Sequence, residues 1–525
     1  MAHILYLFLK RSLIRFLLPE QANPKTEILS GVTVAFALIP EAIAFALVAS
    51  VSPIVGLYGA FFMCLFSAVF GGRPGMISGA TGSMAVVMVA IVQKFGIEYL
   101  FATIILTGVI QISIGALKFG KFIRLMPKPV MIGFVNGLAI VIFLAQLGQF
   151  KIYDNITHQY SWLQGNQLYI MIMLVVITMA ITHFLPKLSK AVPSALVAII
   201  VIALFTNLMH LDVRTVSNML PNPTQSIELP SFALPAIPFT LSTLIIILPY
   251  AFILAFIGIS ESLMTLTLID EITKTHGKAN KECIAQGAGN IISGFFKAMG
   301  GCAMIGQSMI NITSGARGRL SGIIAAITLL LFMLVSWSYI KMIPLAALVG
   351  VMFIVVLETF EWTSLRLIKR IKRSDLFIII VVTSVTIFTD LAIAVICGFI
   401  IAALVFAWET SSHIYAEKII HNNDGETYKI HGIIFFGSTQ KFKEIFDFKS
   451  RAKQIIIDFK YSRIADHSAI DVIANIANEY QKQNKKITLT HLSNECKLLL
   501  GKAGNLVQVN IAEDPEYHVA TDKLD

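Results

Sequence analysis

Charged residues are scarce in this chain. Only 14% of its 525 residues are Asp, Glu, Lys or Arg, and 56% are hydrophobic, whereas an ordinary soluble domain carries about 25% charge. A water-soluble core cannot absorb that much apolar surface. This excludes a disordered chain and a soluble enzyme of ordinary type, and points to an integral membrane protein. Cysteine is also sparse: Cys64, Cys283, Cys302, Cys397 and Cys496 are odd in number and scattered. That spacing argues against a disulfide framework or a zinc site. There is no Gly-rich phosphate loop, HExxH run or nucleophile elbow, which argues against an enzyme and against a nucleotide-driven pump. The net charge of +10 is no nucleic-acid signal, because the basic residues fall mostly in short loops between apolar runs, where the positive-inside rule accounts for them.

What the chain does have is apolar segments. Fourteen are expected, near 28–50, 53–70, 82–94, 98–117, 130–149, 167–184, 191–208, 241–269, 285–298, 305–315, 320–337, 342–358, 376–390 and 392–409. The third and tenth are too short to cross a bilayer, which takes about 20 helical residues. Basic clusters such as Lys118–Lys128, Lys274–Lys281 and Arg366–Arg373 mostly follow an even number of segments. That asymmetry predicts a multi-pass protein of the cell (inner) membrane with both termini cytoplasmic. Residues 1–27 read as a cytoplasmic amphipathic stretch lying on the inner surface, because Lys10, Arg11 and Arg15 interrupt its apolar run. Residues 28–412 form the membrane domain. From 413 to 525 charge returns, and strands near Tyr428–Phe436, Gln454–Phe459 and Lys486–Leu492 alternate with helical patterns at Ser468–Tyr480 and Glu495–Leu500. This predicts a small α/β domain.

The two halves of the membrane region resemble each other. Ile39-Pro40-Glu41-Ala42-Ile43 matches Ile259-Ser260-Glu261-Ser262-Leu263 at an offset of 220, and Gly71-Gly72 with Met76-Ile77 matches Gly300-Gly301 with Met304-Ile305 at 228 or 229. Seven segments plus seven is the natural division. An odd number per repeat places the two repeats in opposite orientations, as in the inverted repeats of secondary transporters. Short, Gly-interrupted segments in corresponding positions point to a binding site. Gly79–Ser83 and Ala303–Ser308 therefore predict two half-helix N-termini facing one another near the midplane. Their unpaired N–H groups and positive dipole ends would hold a small anion.

Glu41 and Glu261 fall inside apolar helices, where a carboxylate is expensive and usually functional. Two readings are open: a cation or proton site beside the anion, or a protonated carboxyl bonded across helices. Thr265, one turn after Glu261, lies on the same face. Sodium or a proton would suit such oxygen ligands. Phe45, one turn beyond Glu41, either walls the anion pocket or only packs. Asp270 and Glu271 read as solvated at a helix end. Lys297 reads as snorkelling to the interface.

Several stretches resemble the SulP family of anion permeases, the bacterial relatives of the SLC26 transporters. They are Pro53-Ile54-Val55-Gly56-Leu57-Tyr58, then Gly71-Gly72-Arg73-Pro74 with Ile77–Gly82, and Gly301–Asn311; the tail, with Asp466-His467-Ser468-Ala469, resembles a STAS domain. The resemblance implies a core domain that carries the anion against a gate domain, and a homodimer. It implies anion contacts at Phe45, Thr81, Gly82, Met304, Ile305 and Gly306, and coupling through Glu41, Glu261, Thr265 and the Ala303 backbone, with Na+ or H+ as coupling ion. Gln307 stands where many animal relatives carry Arg, which disfavours simple exchange. Glu261 stands where the sodium-binding relatives have Asp. His467 stands where soluble relatives are phosphorylated on Ser, so that switch is not expected.

The expected function is secondary active transport of sulfate or bicarbonate, coupled to H+ or Na+. The alternatives are an uncoupled channel or exchanger, and a membrane sensor or scaffold centred on the STAS tail. The expected partners are a small inorganic anion, the bilayer, a second copy of the chain and a cytoplasmic protein at the STAS domain, with no nucleic acid.

Overall fold

The computed structural model describes residues 17–18, 22–120, 127–154, 159–188, 193–219, 229–366, 372–388, 391–421 and 425–491. Of the expected N-terminal amphipathic stretch, residues 1–16 and 19–21 lie outside them, and Pro24–Glu27 belong to the first membrane helix instead; the expected helix at Glu495–Leu500 also lies outside the described residues.

Apart from the five-residue turn of helix Trp362–Arg366, the membrane region forms fourteen helices among the described residues. The first seven are α1 (Pro24–Val48), α2 (Pro53–Phe70), α3 (Gly82–Phe95), α4 (Ile97–Ala116), α5 (Lys128–Leu147), α6 (Gly165–Leu188) and α7 (Ser194–Leu208). The second seven are α8 (Leu241–Thr273), α9 (Ala279–Phe295), α10 (Ile305–Thr313), α11 (Leu320–Lys341), α12 (Leu345–Thr359), α13 (Arg373–Phe388) and α14 (Leu391–Ser412). Each overlaps a segment expected from hydropathy. Helices α1 and α2 open on Pro24 and Pro53, positions where the missing N–H has no intrahelical partner to lose. With 14 and 9 residues, α3 and α10 are too short to cross about 30 Å of hydrocarbon at 1.5 Å per residue.

The largest boundary error has a physical cause. Helix α9 starts at Ala279, earlier than hydropathy indicates. Glu282 and Gln286 break the apolar run, yet both are buried on hydrogen bonds. The Glu282 carboxylate accepts the Gly72 N–H at 2.7 Å and the Gln286 side-chain amide at 2.7 Å.

The helices pack as two groups. In one, α1 packs on α2 and α11, α2 on α9 and α11, and α4 on α8 and α9. In the other, α5 packs on α12 and α13, and α6 on α7 and α12. Contacts between the groups run mainly through α1, which touches α5, α7 and α12. The α4–α9 pair is held close by glycine on both sides: a Cβ at Gly108 would overlap the Gly287 carbonyl, and one at Gly287 would lie 2.5 Å from the Gly108 carbonyl. Such close backbone approach supplies packing energy where lipid offers no hydrophobic drive.

Two strands of two residues precede the short helices. β1 (Ser78–Gly79) leads toward α3, and a later strand at Cys302–Ala303 leads into α10. Between them in the chain, β2 (Lys151–Asp154) and β3 (Gln159–Trp162) form an antiparallel hairpin after α5. The strand at Cys302–Ala303 is β4, and it pairs antiparallel with β1.

The chain divides into two compact units, residues 1–398 and 399–525. In the second unit, β5 (Tyr415–His421), β6 (Gly425–Ile434), β7 (Gln454–Ile464) and β8 (Lys486–Thr490) form a sheet in that order. β5 pairs antiparallel with β6, and the other two pairings are parallel. Helix α15 (Thr439–Glu444) follows β6, and α16 (His467–Gln481) follows β7. Asp466 caps α16 by accepting the Ala469 N–H at 2.9 Å. The expected face of Ile470, Ile473, Ile476, Ala477 and Tyr480 is buried in this unit's core. β5 and α15 went unanticipated. β5 is a mostly exposed edge strand carrying charge, and α15 is a six-residue helix.

Candidate ion-binding site

The site is built on the crossing of β1 and β4. Ser78 pairs with Ala303 and Gly79 with Cys302. Gly301 makes the crossing possible, because a Cβ there would overlap the Gly79 carbonyl. Asn290 of α9 holds this break: its Oδ1 accepts the Gly301 N–H at 2.9 Å and its Nδ2 donates to the Gly301 carbonyl at 3.0 Å. The Met304 N–H donates to the Ile77 carbonyl at 2.9 Å. Ser308 Oγ accepts the Ile77 N–H at 2.9 Å.

These bonds bring two helix starts together. Thr81 is the N-cap of α3 and Met304 that of α10, and neither side chain bonds a first-turn N–H. The orphan donors and positive dipole ends of both helices are therefore uncommitted to their own caps.

The expected anion residues fall around these starts. Thr81 is buried, with Oγ1 3.3 Å from Ser83 Oγ and 3.3 Å from Cys302 Sγ. Phe45 is buried against Gly82, where an added Cβ would lie 2.8 Å from the ring. Ile305 is 40% exposed, and the space above the Gly306 Cα is open. Met304 is buried, and its N–H is already spent on Ile77. The Ala303 N–H is likewise spent, on Ser262 Oγ at 3.1 Å. From α10 the uncommitted donors therefore begin at Ile305.

The expected cation residues lie beside them. The Glu261 carboxylate accepts the Cys302 thiol at 2.8 Å. Thr265 is fully buried and donates its hydroxyl to the Glu261 backbone carbonyl at 2.8 Å. That bond uses the proton and leaves the oxygen lone pairs as ligands. Glu41, on α1 directly after Pro40, accepts the Gln307 amide of α10 at 2.5 Å and lines a cavity of 390 Å³.

Sequence reasoning missed Cys302 and Ser262 as site residues. Cys302 joins Thr81 to Glu261, and Ser262 ties α8 to β4. Their only signals were adjacency, to Gly301 and to Glu261. Asp270 corrects an expectation. It is not freely solvated, because Arg73 Nε lies 3.2 Å from it and it accepts the Gly277 N–H at 2.9 Å. Glu271 is exposed. Lys297 is half exposed and reaches Glu98 at 3.4 Å.

The chain is similar to known proteins along most of its length. The model of the sulfate permease family matches residues 25–382, and that of the STAS domain matches 416–516. The chain is 41% identical over 493 residues to YbaR, a Bacillus subtilis protein named as a sulfate transporter, covering 92% of this chain and 98% of YbaR. It is 32% identical over 429 residues to the bicarbonate transporter BicA of Picosynechococcus, covering 77% and 74%. Its structure resembles the transmembrane domain of a cyanobacterial BicA with a TM-score of 0.62 at 30% identity, over 71% of this chain and 97% of that one. It resembles SLC26A9 in fold, with a TM-score of 0.78 at 17% identity over 94% of this chain and 89% of that one. With the permease match spanning more than half of its length, this chain belongs to the sulfate permease family, a family of membrane transporters and not of enzymes, and carries a STAS domain after its membrane helices.

Proposed function

We propose that this protein is a secondary active transporter that moves a small inorganic anion, sulfate or bicarbonate, together with a sodium ion or a proton. The observation that carries this reading is the meeting of two uncapped helix starts, at Thr81 and Met304, with the Glu261 carboxylate one thiol away. Two converging helix N-termini, each with a partial positive charge of about half an electron, favour an anion. The adjacent carboxylate favours a cation. Each ion lowers the electrostatic cost of the other, which is a coupling free energy and the basis of symport.

In this reading the anion contacts Thr81, Gly82, Ile305 and Gly306, with Phe45 and Met304 as apolar walls. The cation lies on Glu261, the Thr265 oxygen and the Ala303 backbone, with Glu41 as a second coupling carboxylate. The group containing α1–α4 and α8–α11 is the core. The group containing α5–α7 and α12–α13 is the gate, and the core moves against it. The fourteen helices form seven plus seven in inverted orientation. Both termini and the STAS domain are cytoplasmic, the transporter is a homodimer of the cell membrane, and the STAS domain docks a cytoplasmic protein. Likeness to proteins named for sulfate and for bicarbonate transport supports both anions.

The test is uptake of labelled sulfate and, separately, labelled bicarbonate into proteoliposomes under an imposed sodium or proton gradient. Accumulation of one anion driven by one gradient is the expected result, and Glu261→Gln is expected to abolish or uncouple it. Flux of either anion indifferent to both gradients would instead support an uncoupled channel or exchanger.

A further inference from the structure

Helix α9 buries a row of polar side chains on one face. Glu282, Gln286, Asn290 and Ser293 follow one another at helical spacing and are all fully buried. A buried amide is costly unless it is bonded, and two of these amides spend their bonds on the crossing strands. Gln286 Nε2 donates to Ser78 Oγ of β1 at 2.7 Å and to Glu282 Oε1 at 2.7 Å. Asn290 bonds both the N–H and the carbonyl of Gly301, which enters β4. One helix face thus holds both strands, from residues about 6 Å apart along its axis.

The orientation of each amide is forced. The Gly301 N–H can only donate, so it faces Asn290 Oδ1, and Asn290 Nδ2 is left to donate to Gln111 Oε1 of α4 at 2.9 Å. Gln286 turned end for end would set its oxygen against the Glu282 carboxylate. The fit around Asn290 is close, because a Cβ at Gly300 would lie 2.7 Å from its Oδ1.

We propose that Gln286 and Asn290 are positioning residues for transport. Acting through Ser78 and Gly301, they set the separation of the α3 and α10 starts, and Gln111 holds Asn290 in place. The attachment points are matched. Ser78 lies three residues before Thr81, the N-cap of α3, and Gly301 lies three before Met304, the N-cap of α10. Loss of either bond lets one start shift against the other, and an anion held by both is then held less well. The proposal rests on the reading of these two helix starts as the anion site.

The test is uptake of labelled sulfate and of labelled bicarbonate into proteoliposomes, with initial rates followed against the concentration of each anion that the parent protein takes up. Gln286→Met is expected to raise the apparent KM about fivefold, and Asn290→Leu, which removes more bonds, about tenfold or more. A merely structural role would lower the amount of folded protein and hence the maximal rate, and would leave KM alone. Ser78→Ala removes the same bond as Gln286→Met, so the double variant should stay within about twofold of the larger single effect. Ser293→Ala, on the same face but hydrogen-bonded to neither strand, should keep KM within about twofold of the parent. Size-exclusion profiles and melting temperatures report folding. Gln286→Met carries the test if Asn290→Leu does not fold, and Ser78→Ala carries it if neither does. If Thr81→Val raises KM while the α9 variants and Ser78→Ala do not, the proposal is overturned and the anion site stands. Fully additive effects of Gln286→Met and Ser78→Ala would also overturn it. If Thr81→Val leaves KM unchanged as well, the anion-site reading fails and this proposal with it.

Discussion

The Cys302 thiol lies 2.8 Å from a Glu261 carboxylate oxygen and 3.3 Å from Thr81 Oγ1. A single side chain of β4 thus joins the start of α3 to the carboxylate of α8. The S–H donor ties the Glu261 carboxylate to β4.

Removing that donor should therefore be felt at the cation. A hydrogen bond to a charged acceptor is worth about 1.5–3 kcal/mol. Cys302→Ala is expected to raise the half-saturating concentration of the coupling cation about tenfold or more. Cys302→Ser, which keeps a donor, should stay close to the parent. Initial uptake rates measured against cation concentration check both.

Thr81 is on the anion side of the same link. Thr81→Val keeps the shape and loses the hydroxyl. The loss of one neutral hydrogen bond, about 1 kcal/mol, predicts a rise of about fivefold in the apparent KM for the anion. Anion-dependence of uptake at saturating cation is the measurement. An unchanged KM would move the anion away from the start of α3.

Gly301 is a test of the scaffold. Its added Cβ would overlap the Gly79 carbonyl, which is backbone and cannot rotate away. Gly301→Ala is expected to cost about 1–3 kcal/mol, as overpacking does, and to lower the melting temperature in detergent. Gly306→Ala, with open space around its Cα, should leave the melting temperature nearly unchanged.

The α/β domain carries its own pH dependence. Burial alone would raise the Glu426 carboxyl. The Ser450 hydroxyl at 2.5 Å, the Lys418 ammonium at 3.0 Å and the Tyr428 hydroxyl at 3.0 Å outweigh burial and hold it below its ordinary value of 4.5. A carboxyl depressed by folding contributes stability that is fully present above the unfolded-state value and is lost as pH falls through the folded one. Hydrogen exchange at β6 and α16 should therefore quicken, relative to intrinsic rates, once pH drops below 4.5. Glu426→Gln should flatten that dependence.

Much of this architecture is legible in the sequence because a bilayer imposes a local rule. A helix that crosses hydrocarbon must carry a long apolar run. All fourteen helices overlap the expected segments, and the two short ones, α3 and α10, are the two expected to be short. The places where the rule misled are places where polar residues are satisfied by distant parts of the chain. Glu282 is buried on Gly72, and Asp270 is paired with Arg73. Hydropathy prices each residue alone and cannot see a partner some two hundred positions away.

The sequence by itself determined the membrane class, the run of helices, the two glycine-rich breaks and the two intramembrane carboxylates at 41 and 261. Only the tertiary structure decided that the breaks pair as strands, that Cys302 lies between Thr81 and Glu261, and that Gln307 bonds Glu41. Only the tertiary structure brought Gln286 and Asn290 of α9 to the two crossing strands. Helix formation depends on neighbours within a turn or two, which a linear pattern records. A site formed by α1, α3, α8 and α10 depends on how helices far apart in the chain pack, and that is set by the whole set of contacts at once.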